Sequence, residues 1–456
     1  MIQPNHQLGR TTFSRRRLLA GGGLLATGVL AGGGLAAAGR PAVTRSAARA
    51  ARRPRSGDLP TLSQWYHEYG EEGTLEAVQS YAAAFPDANV EVEWISGDWE
   101  TAMAAALLTD EGPDVFEWVN GPNIDMIQSG QVVPLDDVLG EEADDFDQRL
   151  ISRMTWDGHL WAVPQMIDMH VLLYRKSLLE EAGVEPPTTL DELIAAAGAL
   201  TTGDTKGLFV GNDGGVGLLA GYPLWSAGAD YLTEDNQFGF ANDAVYASFA
   251  KLHELFQGDS LLLGAPTDWF DPGSFINQLT AMQLTGLWTF PQILESEVGE
   301  DFDVIAWPQL DASTGSPSLP FAALSSTVSS RTADVDLAKA FVRWLWVDET
   351  DKQLDFATSY GFHLPVRSSL QQEADHLESG PAATTVGLVN EYGRIQEPLL
   401  WTPASREAYN DARARIIAEG ADPETEIAAV REVVEAELER VQAGAAPAGT
   451  APVTTG

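Results

Sequence analysis

The chain has 456 residues, with 66 Asp and Glu against 27 Lys and Arg, a net charge of −39 and no cysteine. That balance repels nucleic acid and anionic membrane surfaces, and the missing cysteine excludes disulfides and thiol nucleophiles. Ten arginines and no acid stand in the first 57 residues, so residues 58–456 carry 17 basic and 66 acidic side chains, a net of −49.

The chain opens with a basic, then apolar, export-like segment. Ser14-Arg15-Arg16-Arg17-Leu18-Leu19 resembles a twin-arginine signal peptide, with Arg15 and Arg16 as the pair. The run Leu18–Ala38 is long enough to span a bilayer, but seven of its residues are glycine. It is therefore weakly hydrophobic and a poor helix former, which suits a transit segment better than a permanent anchor. Ala36-Ala37-Ala38 and Ala48-Arg49-Ala50 are both candidate cleavage sites. An uncleaved membrane anchor is the alternative. A lipid anchor would need a cysteine, so none is expected. The protein is expected to work outside the cytoplasm.

From Asp58 onward strands and helices alternate. Leu62–Tyr66 reads as a strand, and Leu75–Phe85 as a helix with Leu75, Val78, Ala82 and Phe85 at helical spacing. Val90–Trp94 alternates like a half-buried strand. Asp98 is placed to cap a helix over Trp99–Leu108, and Asp114–Trp118 is the next strand. Trp161–Pro164 and Val171–Tyr174 read as two extended pieces. Thr189-Leu190-Asp191-Glu192 is a capping box opening a helix to about Leu200. Further helices are expected over Ala244–Phe256, Leu337–Val347 and Pro423–Gln442, the last capped by Asp422 with Pro423 in its first position. Residues 442–456 hold too little apolar bulk to fold. Strands separated by helices of this length predict an α/β protein with a mainly parallel sheet.

The signatures of several enzyme classes are missing. The sequence lacks a phosphate-binding Gly-Lys-Ser/Thr loop, a Gly-x-Ser-x-Gly elbow and a His-Glu-x-x-His zinc motif. Its seven histidines (His6, His67, His159, His170, His253, His363, His376) include no pair at metal-ligand spacing. No catalytic residue, metal or cofactor is expected.

Four segments in order carry a specific resemblance. Gly112-Pro113-Asp114-Val115-Phe116-Glu117-Trp118 leads to Gln128–Leu135. Asp157–Pro164 runs into Leu172–Gly183 and then Pro186–Leu193. Thr280–Trp288 is third, and Leu337–Leu345 followed by Tyr360–Arg367 is last. Across residues 60–440 the chain resembles extracellular solute-binding proteins of family 1, the carbohydrate receptors of ABC importers. The resemblance implies an α/β, two-lobed periplasmic-binding-protein-like fold of type II, with the lobes joined by a hinge of crossing segments. Those crossings would lie near Pro164–Asp168, Val304–Pro308 and Val347–Thr350. Lobe one would comprise residues 58–167 plus 305–348, and lobe two residues 168–304 plus 349–441.

A sugar presents CH faces and a ring of hydroxyls, so its site needs flat aromatics and side chains that hydrogen-bond. Trp118 ends a strand, where ligand-facing residues of open α/β sheets sit. By resemblance it matches a stacking aromatic, with Asn120 as a polar neighbour. Trp288 and Trp401 match stacking positions of the second lobe. Asp168 matches a carboxylate that binds sugar hydroxyls, and Gln165 lies beside it on the crossing segment. Glu68, after the first strand, and Asn212 and Asp213, before Gly214-Gly215, would face the cleft. Trp225, Trp269 and Trp307 read as core or surface, and Asp114 as structural. None of the chosen positions is basic, which favours a neutral mono- or oligosaccharide.

The implied protein is a monomeric receptor that closes on its ligand and delivers it to the membrane permease of an ABC importer. A polyamine or other cationic solute is one rival ligand, because carboxylates and aromatics together can cage an ammonium. A glycan-active extracellular enzyme and the input subunit of a sensor are the others.

Overall fold

A computed structural model describes residues 59–444. The export segment and all but the first three residues of the expected tail lie outside the described residues. Among the described residues there are twelve strands: β1 (Thr61–His67), β2 (Asn89–Ile95), β3 (Val115–Val119), β4 (Thr155–Trp156), β5 (His159–Leu160), β6 (Val163–Arg175), β7 (Lys206–Phe209), β8 (Thr280–Gly286), β9 (Phe302–Ile305), β10 (Leu319–Val328), β11 (Leu364–Pro365) and β12 (Gly393–Ile395). Ten of them form one sheet with the main order β2-β1-β3-β10-β6-β8-β7, while β4 and β5 make a separate hairpin.

This sheet is mixed, not mainly parallel. Parallel pairing occurs on its flanks, where β1 pairs with β2 and β3 and β7 with β8, and between the short β12 and one end of β10. There a helix such as Thr74–Ala84 supplies the return that parallel strands need. The centre is antiparallel, with β10 running against both β3 and β6, and β6 against β8 and β9. Strand β6 is one continuous element, where the sequence suggested two pieces. Its first half pairs with β10 and β11 through Val163–Met169, and its second half pairs with β8 and β9 through His170–Arg175. Asp168 and His170 interrupt the apolar pattern of β6, but both keep their ladder partners, Ala322 and Gly286. The strand thus joins two halves of the molecule.

Alternation sorts side chains to the two faces of the sheet. In β3, Val115 enters one apolar cluster, with Leu62 and Tyr66 of β1. Phe116 and Trp118 enter the other, with Met103 and Leu107 of the helix Trp99–Leu107.

Local signals read from sequence are realised closely. The Asp98 carboxylate accepts the Thr101 N–H at 3.2 Å, Thr189 and Glu192 form both halves of a capping box, and Asp422 accepts from Thr425 at 3.0 Å. The helix expected over Leu337–Val347 is α-helical over Val335–Arg343. It then widens into a π turn, Trp344–Asp348, which buries Leu345, Trp346 and Val347 together.

The helix Thr350–Thr358, assigned to lobe two, packs on the helix Thr74–Ala84, and Tyr81 donates to its Asp355. Leu364 and Val366 enter the same apolar cluster as β1. The chain returns to the other half later, through β12, which pairs with β10 and leads to the helices Pro403–Glu419 and Pro423–Gln442.

Candidate functional site

Two adjoining cavities lie where the halves meet. The first, of about 210 Å3, is walled by His170, Tyr222, Trp225, Trp269 and Pro320. The second, of about 250 Å3, is walled by Trp118, Asn120, Arg153, Trp401, Arg406 and Arg413. Both are bounded by Gly217, Ala220, Gln396 and Glu397, so together they make one trench.

The floor of the trench is built from strand ends and tight turns. Asn120 follows β3 with φ of 57°, a left-handed conformation that Asn tolerates better than most residues. Its backbone N–H donates to the Ala323 carbonyl at 2.7 Å, and its Oδ1 accepts the Ala323 N–H at 2.9 Å. Asn120 therefore clamps β3 to β10 while lining the second cavity. On the opposite side, Asp213 accepts the N–H groups of Gly215 and Gly217 at 3.0 and 2.7 Å. The loop this forms is held from behind by the helix Pro403–Glu419, where the Tyr409 hydroxyl donates to the Ala220 carbonyl at 2.7 Å. Gly221 has to be glycine, because a Cβ there would stand 2.3 Å from the Trp225 ring.

The first cavity is aromatic. Trp269 lies 4.9 Å from the His170 ring and 6.0 Å from Trp288, edge to face with the latter. Trp288 lies across Gly286, whose missing Cβ leaves room for the indole, and donates to the Phe270 carbonyl at 3.0 Å. Burial pushes the His170 imidazole down to about 4, so it is neutral near pH 7.

The second cavity is charged. Arg406 donates to Glu397 at 2.5 Å and to Glu100 at 3.2 Å, joining the helix Trp99–Leu107 to the helix Pro403–Glu419. Burial raises the Glu100 carboxyl above its usual range, against the pull of Arg406. Arg153 donates from Nε to the Glu397 carbonyl at 2.7 Å. Arg413 donates from Nε to the Val216 carbonyl at 2.7 Å and from Nη2 to the Gly217 carbonyl at 3.1 Å.

A third group of polar side chains sits beside the crossing strand. Glu117, fully buried, pairs with His67 and accepts from the Tyr69 hydroxyl at 2.6 Å. His363 pairs with Asp168 and lies 3.6 Å from Glu71. Burial pulls both imidazoles down, but the neighbouring carboxylates outweigh it and leave His67 and His363 above their usual value.

The structure brings some of the expected residues together and gives others different surroundings. Trp118, Asn120 and Trp401 share the second cavity. Trp401 is only 2% exposed, wedged among Tyr231, Phe240 and Tyr409. Trp288 stands behind Trp269. The Asp168 carboxylate is engaged by His363, and Glu68 is exposed at the end of β1. Gln165 is buried and donates to Ser326 at 2.7 Å. The Asn212 amide donates to the Ala265 and Thr267 carbonyls, and Asp213 shapes its own loop. Asp114 ties β3 to β1 through the Ser63 N–H and hydroxyl.

Sequence reasoning missed His170, the three arginines, Glu397 and the cavity role of Trp269. One signal was available. Arg406, Tyr409, Asn410 and Arg413 recur at helical spacing, so they fall on one face of their helix. Among the described residues no cluster of His, Asp and Glu could hold a metal ion, and no helix is long and apolar enough to cross a membrane.

Comparison with known proteins agrees with this architecture. Part of the chain is similar to a binding protein of Brucella abortus (strain 2308), 27% identical over 193 residues. That match covers 41% of this chain and 47% of the Brucella protein, so it spans about half the length of that relative. Among solved structures, a Thermotoga lettingae ABC transporter solute-binding protein bound with alpha-D-tagatose superposes with a TM-score of 0.72 at 19% identity, covering 83% of this chain and all (100%) of that one. The GacH receptor of Streptomyces glaucescens, solved unliganded and with acarbose, gives a TM-score of 0.70 at 20% identity over 84% of this chain and 99% of its own. These likenesses establish the two-lobed fold. A sequence model of the bacterial extracellular solute-binding proteins matches residues 69–351, well over half of the chain, and the protein belongs to that family.

Proposed function

We propose that the protein is an extracytoplasmic receptor that captures a mono- or oligosaccharide in the trench and delivers it to the permease of an ABC importer. The observation that carries this reading is the trench itself. It draws Trp118 from β3 and Trp269 from a turn of the other half, around the shared rim Gly217, Ala220, Gln396 and Glu397. Flat rings from both halves suit the CH faces of neutral sugar units, and ligand contacts made to both halves are what can stabilise a closed form. The sugar-bound relatives of the same fold support the ligand class.

In this reading Trp118 and Trp269 stack on the ligand, while Trp288 holds Trp269 in place. Trp401 backs the second cavity, and Asn120 fixes its floor. Asn212 and Asp213 shape the loop that carries Gly217. Gln165 supports the crossing strands, and Asp168 and Glu68 stand nearer the first half, able to meet ligand hydroxyls as the halves approach. The hinge is formed by β6, β10 and β12. Export by the twin-arginine-type leader without a lipid anchor, and action as a monomer, complete the proposal.

The cationic-solute reading gains no support from the trench. Its two carboxylates, Glu100 and Glu397, are both engaged by Arg406. The test is a thermal-shift screen of the full chain against neutral mono- and oligosaccharides, spermidine and putrescine. Ligand binding to the native state raises the melting temperature by mass action. A saturable rise with a sugar, lost in Trp118→Ala and Trp269→Ala, is expected. A rise with polyamines alone contradicts it.

A further inference from the structure

The second cavity concentrates positive charge in a chain that has little of it. Residues 58–456 contain only twelve arginines, and three of them, Arg153, Arg406 and Arg413, line this one cavity against two glutamates. The charge of Arg406 is met by Glu397 and Glu100. Among the described residues Arg153 and Arg413 form no ion pair; they donate to main-chain carbonyls, and the Arg413 guanidinium also lies over the Tyr409 ring, 5.4 Å from its centroid.

The unmet hydrogen-bonding capacity in this cavity has one sign. Arg153 Nη1, Arg413 Nη1 and Trp401 Nε1 are buried and have no partner. All three are donors, and no side-chain acceptor among the residues lining the cavity is left buried and unpaired in the same way. Arg413 is itself only 3% exposed. A buried donor without an acceptor is costly, and the field of Glu397 offsets the burial of Arg153 only in part. Burial pushes Arg153 down to about 10, which still leaves it protonated at neutral pH. Arg153 therefore stays cationic at neutral pH although it is buried.

Resting on the carbohydrate reading above, we infer that the second cavity receives an anionic group of the ligand, a carboxylate or phosphate carried on a sugar, held by Arg153 and Arg413. Planar guanidinium forks suit both groups, and charge-assisted hydrogen bonds are about twice as strong as neutral ones. The neutral sugar units then occupy the aromatic cavity. This departs from the expectation of a wholly neutral ligand, which rested on the absence of basic residues among the positions chosen from sequence. It also gives a reason for the strongly acidic surface not to prevent capture, because the positive charge is confined to low-dielectric walls where its field is focused.

The experiment is calorimetric titration of the full chain with matched ligands: glucose, glucuronic acid and glucose 6-phosphate, and galactose, galacturonic acid and galactose 6-phosphate. At least one acidic sugar is expected to bind at least about tenfold more tightly than its neutral parent. That ratio should shrink to within about threefold in Arg153→Gln and fall as salt rises from about 50 to 500 mM. A preference for uronic acids over phosphates, or the reverse, identifies the anion. If Arg153→Gln does not fold, the wild-type ratio and its salt dependence decide alone. Neutral sugars binding as tightly as their acids overturn this inference and leave the receptor standing. A folded protein that binds neither acidic nor neutral sugars overturns both. Arginines that merely buttress the Gly217 loop would change stability on substitution without changing the acid-to-neutral ratio.

Discussion

The two ends of the trench share a rim but are built from opposite materials. One end is aromatic: Trp269, Trp225 and Tyr222 surround a histidine kept neutral by burial. The other gathers three arginines and two glutamates under Trp118 and Trp401. The aromatic end offers faces and area, which bind many sugars with modest discrimination. The charged end offers directed donors, which discriminate strongly because a ligand lacking the matching acceptor leaves them unpaired. Affinity and specificity are thus expected to separate along the trench.

Substitutions can break this contrast in order of size. The largest effect is expected from Trp401→Ala, since the ring is buried among Tyr231, Phe240 and Tyr409. Emptying such a site costs about 3–5 kcal/mol. Chemical denaturation should show this loss of stability whether or not ligand is present, which separates Trp401 from the surface-lining rings.

Gly286→Val comes next. A Cβ at this position would stand 1.7 Å from the Trp288 ring, so the indole must leave its place behind Trp269. Overpacking of this kind costs about 1–3 kcal/mol. Binding at the aromatic end should weaken with it, measured by calorimetry at a temperature where the variant is folded. Trp269→Ala removes a partly exposed wall and should leave the melting temperature nearly unchanged. It should weaken sugar binding by roughly 30-fold, about 2 kcal/mol, as for a buried aromatic anchor.

The smallest effect concerns pH. His170 has its folded value depressed to about 4 against an ordinary 6.5, so the unfolded chain takes up a proton first as pH falls. Its contribution to stability is complete above pH 6.5 and is lost as pH drops from there towards 4. After allowance for partial exposure the loss is roughly 1 kcal/mol at pH 5. His170→Phe should remove that part of the acid-side decline in denaturation midpoints. His67 and His363 act in the opposite sense. Their raised values mean that stability present below pH 6.5 is lost as pH rises through them, so His363→Gln should flatten the decline on the alkaline side of 6.5.

What could be read from the sequence was whatever the chain encodes locally. Asp98, the Thr189–Glu192 box and Asp422 mark their helices within a few residues, and each cap bond is present. The crossing strand β6 was harder, because Asp168 and His170 break its apolar run, and only the pairing with β10 and β8 makes it continuous. The parallel expectation failed for the same reason, since strand direction at the centre is set by passage between the halves and not by local pattern. The site divides similarly. The place of Trp118 in the cavity wall was legible because it stands near the end of a strand. Trp269 was not, because its place comes from His170 on β6 and Trp288 in the 3-10 turn Leu287–Thr289, neither of them a neighbour in the chain. The charged end joins residues 100, 153, 397, 406 and 413, and only the last two share a visible spacing.

The claim that both ends serve a single ligand is tested most directly by calorimetric titration of the wild type, Trp269→Ala and Arg153→Gln with the tightest sugar found. The account predicts one ligand per protein, and weaker binding of that same ligand in both variants. Two ligands per protein, or a ligand weakened by one substitution and indifferent to the other, would contradict it.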